Sequence, residues 1–316
     1  MLRVAAAAGS PRIALSVTLA GTEEEPGVPP IELDHIDTQV KFTSKSSLPS
    51  EAKHLFRTPP LLHEEYELFF VARGDITFLI EESAHLIEPG SLLVFNNQEV
   101  HKLHVRSDER FDRMRLLFDA GFARQFGSEG YDPLECFAAR PKGEGNVIRL
   151  SREQRAEAIS LFERMGQAAA GSGPEARLQK LAAFLEILVF ANRAYRSQPE
   201  PGGGEELPER LAAVLRYIEG NLGGDLSLEA IGAACGTSVF HMSRLFKKYT
   251  GGTLHEHILY KRLSLAKRLL AEGWPPAEVG AICGFTSGAG FAAAFRRVVG
   301  TTPGAFAKSA GPPPRA

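Results

Sequence analysis

The sequence predicts a two-domain α+β chain. The N-terminal part reads as an antiparallel β-sandwich or small barrel with trailing helices, the C-terminal part as an all-α domain containing a repeated helix pair. Three observations predict this. Short runs rich in Phe, Ile, Leu and Val recur with turn signals between Ile31 and about Phe118. The periodicity becomes helical after Ser151. A Pro- and Gly-rich stretch, Gln198 to Glu206, then divides a net acidic part from a net basic one.

Composition narrows the class before any motif is considered. At 316 residues, 44% hydrophobic and 23% charged, the chain has apolar material for a core in each of two domains. No apolar run reaches the ~18 residues of a membrane span. Gly9-Ser10-Pro11-Arg12 interrupts the apolar start, which argues against a signal peptide. Cys136, Cys235 and Cys283 offer neither a disulfide framework nor zinc spacing, so the chain reads as cytoplasmic. The net charge of −2 hides an asymmetry: from Leu207 onward 13 Lys and Arg face 7 Asp and Glu. Such a split favours nucleic-acid binding by the basic half.

Residues 1–30, rich in Ala, Glu and Pro, are expected to be ill-ordered. Residues 31–198 form the first domain. Strands are expected over Leu68 to Val71, Asp75 to Glu81 and Ser91 to Phe95, punctuated by Arg73-Gly74 and Glu88-Pro89-Gly90. Ser151 and Gln154 have capping-box spacing for a helix to about Ala170. A second helix, Glu175 to Tyr195, aligns Leu178, Leu181, Leu185 and Leu188 in a stripe that is either internal core or a dimer seam. Residues 199–206 are the linker, and its glycines are expected to transmit little force.

Residues 207–310 form the second domain. Leu211, Val214, Leu215 and Ile218 make one amphipathic face. Ser227 caps a short helix, Gly236 supplies a turn and Ser238 opens a helix to Thr250; Thr253 and Glu256 box the start of a long helix ending at Gly273. The unit then recurs. Val279 to Gly284 repeats Ile231 to Gly236, and Ser287 to Gly300 repeats Ser238 to Gly251. Gly232 and Gly280 permit close helix approach, and each second helix ends in a cation pair, Lys247-Lys248 or Arg296-Arg297. A helix held clear of its support fits the ~12 Å major groove, with flanking cations on phosphates.

Residues 225 to 307 resemble the double helix-turn-helix domain of AraC/XylS-type transcriptional regulators. The stretches that carry the likeness include Ser243-Arg-Leu-Phe-Lys-Lys-Tyr-Thr-Gly251, Lys261 to Leu270, Val279 to Phe285 and Gly300-Thr-Thr-Pro303. The resemblance implies that the first recognition helix meets bases through Phe240, Ser243 and Arg244. Arg244 suits a guanine edge and Phe240 a thymine methyl. Ser238, Lys247, Lys248, Arg262, Ser287, Arg296 and Arg297 complete the expected DNA contacts, mainly to phosphates. The second unit departs from the pattern, because Gly288-Ala289-Gly290 offers no long hydrogen-bonding side chain. The implied partners are duplex DNA, a small-molecule effector, a second copy of the chain and RNA polymerase.

His63-Glu-Glu-Tyr-Glu67, Gly74, Pro89-Gly90 and His101 resemble the cupin barrel motifs of the same regulators' sensory domain. Cupin enzymes carry a His where Leu61 stands. Two readings follow. His63, Glu67 and His101 form a two-His-one-carboxylate metal face, or they join Phe78, Phe95 and Asn96 in an effector pocket. The leading expectation is a regulator sensing a small metabolite, a carbohydrate first, with no catalytic residue, cofactor or metal. The alternative is a metal-dependent cupin enzyme with a DNA-binding tail. His104 is expected to be exposed.

Overall fold

The computed structural model describes residues 36–47, 62–81, 83–106, 110–198 and 207–309. The expectations for residues 1–30 and for the linker 199–206 lie outside the described residues. The N-terminal domain runs α1 (Ile36–Gln39), β1 (Val40–Ser47), β2 (Tyr66–Arg73), β3 (Ile76–Ile80), β4 (Ser83–Ile87), β5 (Ser91–Phe95), β6 (His101–Val105), β7 (Phe111–Phe118), α2 (Ala120–Arg124), α3 (Glu135–Ala138), β8 (Val147–Arg149), α4 (Arg152–Ala170) and α5 (Pro174–Arg196).

The strands form two antiparallel sheets, ordered β1-β7-β2-β5-β8 and β4-β3-β6. They face each other across Phe69, Val71, Ile76, Phe78, Ile80, Phe95 and Phe111. Among the described residues no strand pairing joins one sheet to the other, so the cupin-like domain is an open two-sheet version of the expected barrel. Both faces of the larger sheet are covered, which explains the unbroken apolar run in β2. Tyr66, Leu68 and Phe70 pack beneath α4 and α5, while Glu67, Phe69 and Val71 look into the space between the sheets.

The Ser151 capping box forms: Ser151 Oγ accepts from the Gln154 amide at 3.2 Å and Gln154 Oε1 from the Ser151 amide at 2.9 Å. In α5 the leucine stripe divides. Leu188 is core at 1% exposure, whereas Leu178 and Val189 are 52% and 49% exposed. The exposed seam therefore follows Leu178, Ala182, Leu185 and Val189, one helical step away from the expected one.

The C-terminal domain contains α6 (Glu209–Gly220), α7 (Leu228–Ala234), α8 (Val239–Thr250), α9 (Leu254–Ala271), α10 (Pro276–Ile282), α11 (Gly288–Val299) and α12 (Pro303–Ser309). The repeat is reproduced in detail. Ser238 and Ser287 cap α8 and α11, and Gly251 and Gly300 end them in the left-handed region at φ 68° and 86°. A Cβ on Gly232 would lie 2.8 Å from the Thr237 carbonyl oxygen, and one on Gly280 3.0 Å from the Phe291 ring. Gly232 therefore leaves no room for a side chain, and one at Gly280 would require the Phe291 ring to shift.

The domains are docked. Leu79, on the outer face of β3, joins the core of α6, α7 and α8, and Leu62 and Val100 join the core of the second unit. Contact therefore links the domains whatever force the linker carries.

Two buried histidines make this fold acid-sensitive. Burial, with Arg149 nearby, pushes His85 from 6.5 down to about 4. Burial, then Lys261 and Lys102, takes His257 to about 3. Both stay neutral when folded but protonate when unfolded, so stability present above about pH 6.5 declines as pH falls. At pH 5 we expect a loss of roughly 2 kcal/mol per histidine relative to pH 7.5. Denaturant midpoints at the two pH values, in wild type and His257→Phe, measure this; an unchanged pH slope in the variant would exclude His257 as a source.

Candidate functional site

Strand alternation turns Glu67 inward near the start of β2, where it sits opposite Phe95 of β5 and Leu117 of β7. Its side chain is 1% exposed. His63 lies just before β2, and its Nε2 is 2.8 Å from Glu67 Oε2. His101 opens β6 and places its Nε2 3.3 Å from the same oxygen. Arg115 Nε of β7 is 3.8 Å from Glu67 Oε1. Burial alone would raise the Glu67 pKa. The hydrogen bonds and charges of His101 and His63 outweigh it and hold the carboxyl well below the usual range. The three predicted residues thus converge, all ligand atoms lying within 4.8 Å of one another.

The rest of the predicted effector set is placed unevenly. Phe95 stacks on the His101 ring at 4.0 Å and 12°, and Phe78 packs on Phe95 at 5.3 Å. These rings are fully buried, so the protein's own aromatics fill the apolar side of the expected pocket. Asn96 stands apart. Its Nδ2 donates to the Phe137 carbonyl and its Oδ1 accepts from the Gln98 amide, fixing a turn outside the space between the sheets. His104 is half-buried, not exposed, because it lies mid-strand in β6 opposite Thr77.

A set of residues that the sequence reading missed joins this region to the C-terminal domain. Lys267 of α9 donates to the Asn97 carbonyl at 2.7 Å and the His63 carbonyl at 3.2 Å, and pairs with Glu64 at 2.8 Å. Ser264 donates to the Gln98 carbonyl at 2.6 Å. Lys261 contacts Glu81 and lies 2.5 Å from Glu219. Polar residues recurring every third position at 261, 264 and 267, on one side of the helix, were the available signal. A cavity of about 610 Å³ lies at this interface, lined by Gln98, Lys142, Glu219, Lys261, Ser264 and Arg268 among others.

In the C-terminal domain, α8 buries Met242 and Phe246 and turns its other face outward. Phe240 is 75% exposed, with the Arg244 guanidinium carbon 6.0 Å from its ring centre. Ser238, Arg244, Lys247 and Lys248 are exposed and Ser243 is half-buried. In α11, Ser287, Arg296 and Arg297 are exposed, while Gly288 to Gly290 present no hydrogen-bonding side chain. Arg262 departs from the expected role. Its Nε donates to the Leu222 carbonyl at 2.9 Å and its Nη2 to the Gly224 carbonyl at 2.8 Å, so it braces the loop after α6.

A two-sheet sensory-type domain docked on a doubled helix-turn-helix unit defines a one-component regulator. Residues 46–188 match the AraC-like ligand binding domain and residues 231–309 a helix-turn-helix domain. The chain belongs to the AraC family of transcriptional regulators. It is 24% identical to "Uncharacterized HTH-type transcriptional regulator YbfI" of Bacillus subtilis over 72% of this chain and 79% of that protein. "Probable transcriptional regulator LumQ" of Photobacterium leiognathi is 39% identical over 31% of this chain, a match that spans only 41% of LumQ. The solved structure of ToxT from Vibrio cholerae O395 covers 86% of this chain and 98% of its own at 12% identity, with a TM-score of 0.34. The family assignment sets aside the cupin-enzyme alternative. No described helix is long and apolar enough to cross a membrane.

Proposed function

We propose that the protein is a DNA-binding regulator of transcription, acting as a homodimer, whose N-terminal domain senses a small polar molecule at His63, Glu67 and His101. One observation carries this reading: α8 leaves Phe240 at 75% exposure, beside an exposed Arg244, on a helix whose other face is core. An aromatic side chain so placed has no folding role, whereas a major-groove surface uses it. Arg244 reads a base; Lys247, Lys248, Arg296 and Arg297 meet phosphates, with Ser238 and Ser287 at the two helix starts; Arg262 is left to structure. For a carbohydrate effector, His63 and Glu67 are in place but the Asn96 amide is engaged elsewhere, so the sugar reading keeps two of its three polar groups. A contact with RNA polymerase would use surface left free by DNA.

The test is a selected-site binding assay. Arg244→Ala should cost about 1–3 kcal/mol and relax preference at one base position. Lys247→Ala should weaken all sequences alike and flatten the salt dependence. The operator half facing Gly288 to Gly290 should carry little sequence information. An equal loss for operator and random DNA in Arg244→Ala would remove the base-reading role.

The dimer is assigned to the exposed seam of α5. Leu178→Glu with Val189→Glu should yield a folded monomer by sedimentation, since both side chains are half exposed and outside the core. A dimer that persists would place the interface elsewhere.

A further inference from the structure

We propose that the effector is a small organic acid, and that Arg113 and Arg115 of β7 bind its carboxylate at the open rim between the two sheets. The inference rests on the sensing reading above and deepens it, putting an anion in place of a neutral sugar.

Strand register assembles this site. Alternation along β7 gives Phe111, Arg113 and Arg115 the face that looks between the sheets, with Arg115 opposite Phe69 and Arg113 opposite Val71 of β2. On the other side of β7, β1 places Thr43 opposite Arg115 and Lys45 opposite Arg113. Arg113, Arg115 and Thr43 are half-buried and Lys45 is exposed. Deeper between the sheets, Phe69, Phe78, Phe95 and Phe111 pack on one another. A ligand therefore sits on the rim.

The charges there are unbalanced. Lys45, Arg113 and Arg115 stand together, and like charges directly opposite across a strand pair destabilise it. Among the described residues no carboxylate pairs with Lys45 or Arg113. Glu67 lies 3.8 Å from Arg115 Nε, with its other oxygen against His63 and His101. Burial, then the neighbouring Arg115 charge, lowers the Arg113 pKa. The guanidiniums are also under-used. Each carries five N–H donors. Arg113 gives one, from Nη1 to Ser47 Oγ at 3.2 Å, and lies 4.9 Å from the Phe111 ring centre. Arg115 makes no hydrogen bond among the described residues. Arg140 shows what a structural arginine does in this domain: it meets Glu99 and the carbonyls of Val94, Cys136 and Glu144.

A carboxylate answers both features. It accepts two parallel N–H bonds from one guanidinium and offsets the clustered charge, whereas a hydroxyl brings no charge. Arg113 and Arg115 stand about 7 Å apart along the strand. An acid with a second carboxylate or a hydroxyl spans that distance. The Thr43 hydroxyl and Glu67 Oε1 are the polar groups beside it for the rest of the molecule.

The test compares acids with their neutral counterparts on the full chain: glucuronate against glucose, and succinate against 1,4-butanediol. At least one acid should raise Tm saturably and shift the Nε resonances of Arg113 and Arg115 in ¹⁵N spectra of the wild-type chain. That readout needs no variant to fold. Neither neutral molecule should do so. Arg113→Gln should weaken acid binding about 10- to 100-fold, the effect of one charge-assisted hydrogen bond. Arg152→Gln, at the exposed start of α4, should leave it unchanged. The proposal is overturned by an absence of binding by both acids, by inorganic phosphate acting as well as they do, or by equal losses in the two variants. Glucose binding that His63→Gln removes would uphold the sensing site and overturn the acid. Operator binding is measured on the same preparation, so a chain that binds an acid but no DNA refutes the regulator reading alone.

Discussion

Glu99→Gln is expected to destabilise the N-terminal domain by roughly 3–5 kcal/mol, the usual cost of removing one partner from a buried ion pair. The Glu99 side chain is fully buried and meets Arg140 through two 2.7 Å contacts, with Arg140 itself 2% exposed. The carboxylate also accepts from the amides of Asn96 and Gly143 and from the Asn146 side chain. Arg140 spends its other donors on the carbonyls of Val94, Cys136 and Glu144. One carboxylate thus pins the turn after β5 to α3 and to the loop before β8. Neutralising it leaves a guanidinium stranded where water does not reach, which costs more than the pair contributes by existing. Burial raises the Glu99 pKa, but Arg140 and the amides lower it further. Its stabilisation is therefore present above the unfolded carboxylate value of 4.5 and is lost as pH falls through the lowered folded value. Urea denaturation at pH 7 checks the magnitude. Adding Arg140→Met to Glu99→Gln should recover much of the loss, and a single-variant cost under about 1 kcal/mol would show that water relieves the site.

The parts of this molecule legible in the sequence are those set by local rules. Capping residues, turn glycines and periodicity placed α4, α5 and the doubled helix pair, because Ser151, Thr253, Gly251 and Gly300 act on neighbours within four residues. Strands buried on both faces, β2, β3 and β5, announced themselves as apolar runs. Edge strand β1, written Val-Lys-Phe-Thr-Ser-Lys-Ser-Ser, carries no such signal because much of it faces solvent. The triad was legible through spacing, yet Asn96 and Arg262 were misplaced. A polar side chain's partner can lie dozens of residues away, as the Phe137 and Leu222 carbonyls do, and nothing local reveals it. The same holds for the docking of the domains, where Lys267 meets His63 across 204 positions.

Lys261→Met is expected to loosen that docking, at a cost of about 3–5 kcal/mol, and with it to abolish the response of DNA binding to effector. Lys261 lies at the centre of α9, the helix that joins the two DNA-reading units, and its side chain is 1% exposed. It contacts Glu81 at the end of β3 and lies 2.5 Å from Glu219 of α6. Glu81 is the one non-glycine among the described residues in the left-handed region, at φ 53°. A side chain there is disfavoured, and the turn is held by exchange with Val100: the Glu81 amide donates to the Val100 carbonyl at 2.9 Å and Glu81 Oε1 accepts from the Val100 amide at 2.7 Å. That turn aims the carboxylate at α9. Burial lowers the Lys261 pKa, but the charges of Glu81 and Glu219 raise it overall. The stabilisation is therefore fully present below 10.5 and lost only as pH rises through the higher folded value, so it is constant across physiological pH. With Lys261 gone, Glu81 is left facing Lys142 alone, at 3.3 Å. A clamp between sensor and reader allows effector to bias DNA affinity by about 1–3 kcal/mol, or roughly 5- to 150-fold. Hydrogen exchange in β3 and α9 reads the docking, and titration of operator DNA with and without effector reads the response. Lys261→Met with Glu81→Gln should restore part of the stability without restoring the response, since the buried Glu81 charge is removed and the remaining carboxylate, Glu219, is 35% exposed. A single variant that keeps wild-type protection in α9 and a full effector response would show that the domains communicate by another route.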